Sequence, residues 1–582
     1  MKRREMLFKA FQTGALICLA KPLQLFANEN NNALLTELVG NPLRIPPEFV
    51  NGGTMTAAIS NVQVWPGQNT EVYAINNSVI GPTVRVQRNT QFTAHFVNQL
   101  NEAATIHWHG VSVPELMDGH PKDSIPPGGN YTYTYPIIQR AGTTFYHSHA
   151  HMITGKHIYK GFGGFFIIED PEEIQLGLPR GAFEVPLCIQ DRRAADIPQF
   201  TYDPTMPEFM EGFLGDIALV NGTPEAYFEV SKTLYRFRLL NGSNARVYKI
   251  ALSDNSQFHI IATDGGLKDT PVLVNSFLLS PGERADILVD FSPYTIGQNV
   301  SLKSLQFAAP GIGTYRQGTE MNLLRFDITG NASSGGIVPA ALPPINYYIP
   351  SDASTTRTFT LTTSGTGMGT HKINGLLFEM ERIDWQTPQN TLEEWKIINA
   401  TNEFHPMHIH AVQFQVYSRN SSTNLPPVDK GWKDTVLLNP FETVRVLVRF
   451  TDYRGIYLFH CHNLEHEDDG MMLNFKVTDP IGINEGSTSV ADGYVLHQNY
   501  PNPFNPSTKI KFEIPADGNV SLKIYDQLGR EVSSLIDRFT RKGTYEINFK
   551  ADALKGGLSA GEYFYKLASK NVLLTKKMIL LK

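Results

Sequence analysis

Tyr457-Leu-Phe-His460-Cys461-His462-Asn-Leu-Glu-His466-Glu-Asp-Asp-Gly-Met471-Met472 gathers three histidines, a thiol and two thioethers into one short run. On a strand, successive side chains leave opposite faces. Cys461 then points one way, and His460 and His462 the other. A metal held by the thiolate and a metal cluster held by the two imidazoles would be joined through adjacent residues, an arrangement suited to electron transfer.

Partners for both faces lie elsewhere in the chain. His-X-His pairs recur at 107/109, 147/149, 408/410 and 460/462. Each pair presents both imidazoles on one face of a strand. A lone strand histidine is usually a hydrogen-bonded structural residue, whereas four pairs in matched positions form a ligand system. The matching is visible as an internal repeat. Ile106-His-Trp-His109-Gly resembles Met407-His-Ile-His410-Ala, and Phe145-Tyr-His147-Ser-His149 resembles Leu458-Phe-His460-Cys-His462. Pro127 precedes His147 by the same distance as Pro440 precedes His460. Imidazole suits copper, zinc, iron and nickel alike. The thiol side is more selective: His405, Cys461 and His466 with a weak axial Met471 form the blue-copper set. Adjacent Met472 is read as core.

The chain has 582 residues, too many for one core, so several domains are expected. Val/Ile/Thr/Tyr/Phe-rich alternating runs dominate, and few stretches hold a helical period. The fold class is therefore all-β: three consecutive β-sandwich domains plus a small C-terminal Ig-like β-sandwich. Domain boundaries are placed at 54–172, 183–330, 355–478 and 490–582, with a Pro/Ala/Gly/Ser-rich linker at about 331–354. The middle block repeats the strand signal Pro281-Gly-Glu-Arg but lacks paired histidines, so it reads as a spacer without metal ligands. The net charge of −6 is small for this length, and without a basic stripe it excludes nucleic acid as a partner.

Residues 1–27 read as an export signal: a basic start, an apolar run and a plausible cleavage point near Ala27. Arg3-Arg4 resembles a twin-arginine signal. No later run reaches the ~18 apolar residues of a membrane span, so the mature chain is expected to have none. Of the three cysteines, Cys18 falls in the signal and Cys188 reads as a buried strand residue. Cys461 is left with no disulfide partner.

The motifs His107-Trp-His109-Gly, His147-Ser-His149, His405-Pro-Met-His408-Ile-His410 and His460-Cys461-His462-X3-His466-X4-Met471 resemble the four copper signatures of the multicopper oxidases. The resemblance covers about residues 55–478. It implies cupredoxin-like sandwiches and four coppers per chain. His405, Cys461, His466 and Met471 would hold type 1 copper, and His107 and His408 type 2 copper. His109, His147, His149, His410, His460 and His462 would hold the type 3 pair. The implied activity couples four one-electron oxidations to reduction of O2 to water, with Asp118 and Glu467 in the positions of proton-relaying acids.

Leu239-Leu-Asn-Gly-Ser-Asn-Ala-Arg246, Ala262-Thr-Asp-Gly-Gly-Leu267 and Gly431-Trp-Lys-Asp-Thr-Val436 resemble the bacterial laccase and copper-efflux oxidase branch. A phenolic donor is expected, with Cu(I), Fe(II) or Mn(II) as the alternative. The methionine-rich insertion of copper-efflux oxidases has no counterpart; Met206 and Met210 are read as packing residues. Thr401 stands where that branch carries an acid before the first type 1 histidine, with Glu403 nearby. His151 and His157 read as loop or surface residues. A non-catalytic cupredoxin scaffold is disfavoured by the intact ligand set. A copper nitrite reductase is disfavoured because its chains do not pair a full trinuclear set with three domains in this order.

The last block is of another kind. Gln498-Asn-Tyr-Pro-Asn-Pro-Phe-Asn-Pro-Ser-Thr508 and Gly561-Glu-Tyr-Phe-Tyr-Lys-Leu567 resemble the C-terminal sorting domain of type IX secretion substrates. That resemblance implies the export and secretion machinery as partner, passage through the periplasm, and a final place on the cell surface or outside the cell.

Overall fold

The computed structural model describes residues 40–310, 315–332, 335–365, 367–479, 483–485, 494–551, 558–569 and 572–581. The expected export signal and Cys18 lie outside them. Strands dominate, and they build four consecutive β-sandwiches.

The first sandwich packs a four-stranded sheet on a five-stranded one. Strand Gln91–Asn98 alternates exposed or half-buried Gln91, Thr93, His95 and Val97 with buried Phe92, Ala94, Phe96 and Asn98, the pattern of a sheet wet on one face. The strands bearing histidines differ. Ile106–His109 and Gly142–Ser148 are buried throughout, because one face meets the sandwich's own core and the other meets neighbouring sandwiches. The two strands pair antiparallel, with Ile106 opposite Ser148 and His107 opposite His147.

The third sandwich repeats this. Strand His405–Ile409 pairs with Gly455–Cys461, Met407 opposite Cys461 and His408 opposite His460. The repeat seen in the sequence is thus a repeat of register. A one-residue slip in either copy would turn its histidines to the wrong face.

The middle sandwich combines seven- and six-stranded sheets around the largest apolar cluster, which includes Phe237, Phe291 and Phe326. Strand Leu234–Asn241 is fully buried despite carrying two arginines. Arg236 and Arg238 meet Glu173, Glu184 and Asp286 in a closed ion network. Burial alone would raise the Glu173 and Glu184 pKa values; the two guanidiniums outweigh it and lower both. The C-terminal sandwich has two four-stranded sheets, and Ser507–Ile514 buries every second residue. No helix among the described residues is long and apolar enough to cross a membrane.

Candidate metal centre

Eight of the predicted histidines converge where the first and third sandwiches meet, all buried. His107 and His408 approach Nε2 to Nε2 at 3.4 Å. His109, His147 and His462 gather their ring nitrogens into one group, and His149, His410 and His460 into another. Within them His109 Nδ1 lies 3.4 Å from His147 Nε2, and His460 Nε2 lies 3.3 and 3.1 Å from the Nε2 atoms of His149 and His410. The division of the six histidines into two triads was not legible in the sequence.

The orientation of each ring is set by what its other nitrogen does. His107 Nδ1 donates to the Asp118 carbonyl and His408 Nδ1 to the Asp434 carbonyl, both at 2.8 Å. His147 Nδ1 donates to the Ser148 carbonyl at 2.8 Å and His460 Nδ1 to the Cys461 carbonyl at 3.0 Å. His410 Nδ1 donates to Asp118 Oδ2 at 2.8 Å. Each bond fixes the proton on Nδ1 and leaves the Nε2 lone pair facing inward. His109 is reversed: its Nε2 sits 3.0 Å from Asp434 Oδ1, so Nδ1 faces the cluster.

These inward nitrogens fit a cation. Neutral imidazole lone pairs repel at 3.1–3.4 Å, yet a tetrahedral ion at about 2.0–2.1 Å spaces its nitrogens about 3.3 Å apart. Neither His462 ring nitrogen has a hydrogen-bond partner, nor does His149 Nδ1. Burial first, then the charges of neighbouring groups, lower the pKa values of His109, His147, His149, His408, His410 and His462 well below the ordinary range. They stay neutral, the form that ligates metal.

A second group lies on the other face of the same strand. Cys461 Sγ is 3.6 Å from His405 Nδ1 and 3.7 Å from His466 Nδ1, and those nitrogens are 3.2 Å apart. Burial raises the Cys461 pKa well above a free thiol's, so the thiolate needs a bound cation. Met471 is fully buried in the same core, its N–H bonded to the His466 carbonyl and its own carbonyl to the Cys461 N–H. Met472 opens the next strand opposite His460.

The two acids singled out in the sequence both reach the histidine cluster. Asp118 is fully buried between His107 and His410. Glu467 is buried with Oε2 3.2 Å from His460 Nδ1 and Oε1 3.5 Å from His149 Nδ1.

Several expectations need correction. His157 is no surface residue. It is fully buried, with Nδ1 2.7 Å from Ser148 Oγ and Nε2 3.1 Å from Glu102 Oε1. Ser148 occupies in the first sandwich the register position of Cys461, and this hydrogen-bonded chain fills the space beside it. Met210 does more than pack: its carbonyl accepts from His466 Nε2 at 3.0 Å, and its sulfur accepts from Thr370 Oγ1 at 3.1 Å. Met206 is largely exposed. Helix Met206–Glu211 therefore caps His466, which is itself fully buried.

Thr401 takes the place of the missing acid. Its hydroxyl donates to Asn399 Oδ1 and accepts from His405 Nε2 at 2.9 Å, leaving His405 Nδ1 for the sulfur side.

The middle sandwich is more than a spacer. Gly282 has φ +78°, and a Cβ there would stand 2.9 Å from the His462 ring. Arg284 pairs with Asp434, the residue that orients His109. Pro281-Gly-Glu-Arg carried the signal, but its target could not be read without the fold.

His371 was missed altogether. Fully buried, it stacks on His466 with ring centroids 3.8 Å apart and planes at 18°. Its Nδ1 lies 3.0 Å from Asp469 Oδ2 and its Nε2 3.3 Å from Glu403 Oε2. Burial acts to lower its pKa, and the bonds to Asp469 and Glu403 outweigh burial and raise it. A single histidine outside any His-X-His pair gave no sequence signal.

Comparison with known proteins agrees with this geometry. Residues 57–173, 210–311 and 348–480 each match a family described as multicopper oxidase, and residues 498–581 match the secretion system C-terminal sorting domain. The chain is 31% identical to a bilirubin oxidase of Albifimbria verrucaria over 75% of this chain and 81% of that protein. It is 32% identical to a laccase of Bacillus subtilis over 71% and 91% respectively. The crystal structure of the McoA multicopper oxidase of Aquifex aeolicus superposes with a TM-score of 0.69 at 36% identity, covering 76% of this chain and all of that one. Cupredoxin-like sandwiches, buried imidazole triads and these matches together make the chain a multicopper oxidase, a copper-binding oxidoreductase with O2 as electron acceptor and a C-terminal type IX sorting domain.

Proposed function

We propose that this is a secreted laccase-like oxidase that takes single electrons from phenolic donors at the Cys461 site and delivers four of them to O2 at the histidine cluster. In this reading His405, Cys461, His466 and Met471 hold one copper, His107 and His408 a second, and the two histidine triads the remaining pair. Bound copper supplies the one-electron redox chemistry at both sites. The single observation that carries the reading is the strand Gly455–Cys461, which sends Cys461 to one ligand set and His460, with His462 just beyond, to the other.

The chain's own groups do the rest. Cys461 is peptide-bonded to both His460 and His462, and its carbonyl accepts the His460 Nδ1–H at 3.0 Å. The path between sites is therefore covalent and short. Asp118 and Glu467 contact ligand imidazoles from outside the ring of inward nitrogens, where carboxyl groups can pass protons to the reduced oxygen. Burial of all four sets excludes bulk water from the electron path.

The sorting domain supports export across the outer membrane, with the periplasm as transit compartment and the cell surface or exterior as destination. A metal-ion donor is the second reading. Met210, half-buried above His466 with Glu403 close to His371 and His405, offers a soft and an acidic donor beside the type 1 site.

Purified copper-loaded protein should be blue, contain four coppers and consume O2 with a phenol. A colourless protein with less than one copper per chain would sink the proposal. The ratio of kcat/KM for a phenol to that for Cu(I) decides between donors.

A further inference from the structure

We propose that the protein carries a second small-molecule site, a cleft that binds a planar aromatic carboxylate. The cleft encloses about 240 Å3 where the first sandwich, the third sandwich and the segment bearing Tyr348 meet. Arg140 comes from the first sandwich and Arg449 from the third. Neither makes a hydrogen bond or an ion pair with any described protein group, and Arg449 Nε is buried without a partner. Elsewhere Arg236, Arg238 and Arg284 are each paired with carboxylates. Burial also lowers the Arg140 pKa, although Asp170 and Glu172 act to raise it.

Two half-buried forks not ion-paired to any described carboxylate favour a carboxylate from outside, which the guanidinium fork binds bidentately. The wall is aromatic: Trp432 and Tyr348 meet edge to face at 5.4 Å, and Arg449 lies 5.0 Å over the Tyr348 ring. That wall selects a ring. Asp452 also lines the cleft, its Oδ2 accepting from Ser112 at 2.7 Å, so the site is one positive charge in excess and suits a monoanion. The floor includes Gly110 and Ala411, the residues directly after His109 and His410, and none of the lining residues is a type 1 ligand. An occupant there would clamp the junction between the two halves of the histidine cluster without touching the donor side.

The test is calorimetric titration of the copper-loaded full chain with benzoate, which is not an electron donor, alongside neutral benzamide and inorganic phosphate. Saturable one-to-one benzoate binding is expected, weakened at least about tenfold in Arg140→Gln and in Arg449→Gln. Benzamide should not bind. Absence of saturable benzoate binding, or binding untouched by both substitutions, overturns the proposal. Phosphate binding as tightly as benzoate overturns the aromatic part of it. Both variants are compared by thermal midpoint, and either one that folds suffices.

A different observation carries a second inference: His371 is a positioning residue for the type 1 ligand His466. Its ring stacks on that ligand while Asp469 and Glu403 hold its two nitrogens. Asp469 also accepts the backbone N–H groups of Gly369, Thr370 and His371, which ties this loop to the helix that bears His466. The inference rests on the proposed ligand role of His466 and is read by spectroscopy. In His371→Ala the thiolate-to-copper absorption band and the type 1 potential should both shift, and His371→Phe, which keeps a stacked ring, should restore part of each. Identical band and potential in His371→Ala overturn it, whatever happens to the melting temperature. A colourless wild-type protein would instead defeat the ligand assignment.

Discussion

At Cys461 one side chain separates two chemistries. Its neighbours on either side belong to the cluster face, so removing the thiol leaves their orientation to the strand. Cys461→Ser should abolish the blue absorption and leave the histidine groups able to bind metal, as metal analysis and electron paramagnetic resonance would show; loss of all copper would count against the separation. Asp118 joins two cluster imidazoles from opposite sandwiches, through its carbonyl to His107 and its carboxylate to His410. If its carboxyl moves protons, Asp118→Asn should lower O2 turnover about 100-fold while the blue band still bleaches with donor at the wild-type rate under anaerobic conditions. Unchanged turnover would remove that role. Both residues were legible beforehand, because their motifs are local. His371 was not, since its meaning comes from a stack across residues 371 and 466 that no spacing rule describes.

At the scale of elements, the repeated strand pair is the device. Ile106–His109 with Gly142–Ser148, and His405–Ile409 with Gly455–Cys461, keep one register in both copies. The first copy fills its thiol position with Ser148, His157 and Glu102; the third places Cys461 there, beside His405 and His466. Sequence comparison revealed the copies and the Ser148-for-Cys461 exchange, but not the partner of Ser148. His157 reaches it from helix Thr154–Tyr159, whose packing is tertiary. The turn at Pro281-Gly282 is a second such element. A side chain at Gly282 would need a left-handed backbone costing about 1–2 kcal/mol and would strike the His462 ring. Gly282→Ala should therefore reduce copper bound by the cluster while sparing the blue band, a contrast measurable as copper per chain against absorbance. Equal copper content would show that the ring can yield.

For the whole molecule, the middle sandwich ties the metal-bearing halves together through buried charge. Glu173 lies 2.5 Å from Arg236 Nη1 and 3.0 Å from Arg238 Nη2. Replacing Glu173 by Gln leaves those guanidiniums undercompensated and should cost about 3–5 kcal/mol at pH 7, measured by denaturant unfolding. Because the folded-state pKa lies below the ordinary 4.5, this stabilisation is present above pH 4.5 and is lost as pH falls through the folded value. The wild type should approach Glu173→Gln in melting temperature as pH drops below 4.5; parallel curves across that range would deny Glu173 the effect. By itself, the sequence determined the all-β class, the repeat, the histidine and thiol pattern and the sorting tail, because alternation, His-X-His spacing and the Pro/Asn-rich motif are local patterns. Only the tertiary structure decided how six histidines divide into two triads, which nitrogen each ring turns inward, and that the supposed spacer braces His109 and His462. Those depend on contacts between residues hundreds of positions apart, and such contacts are fixed by sandwich packing rather than by any local period.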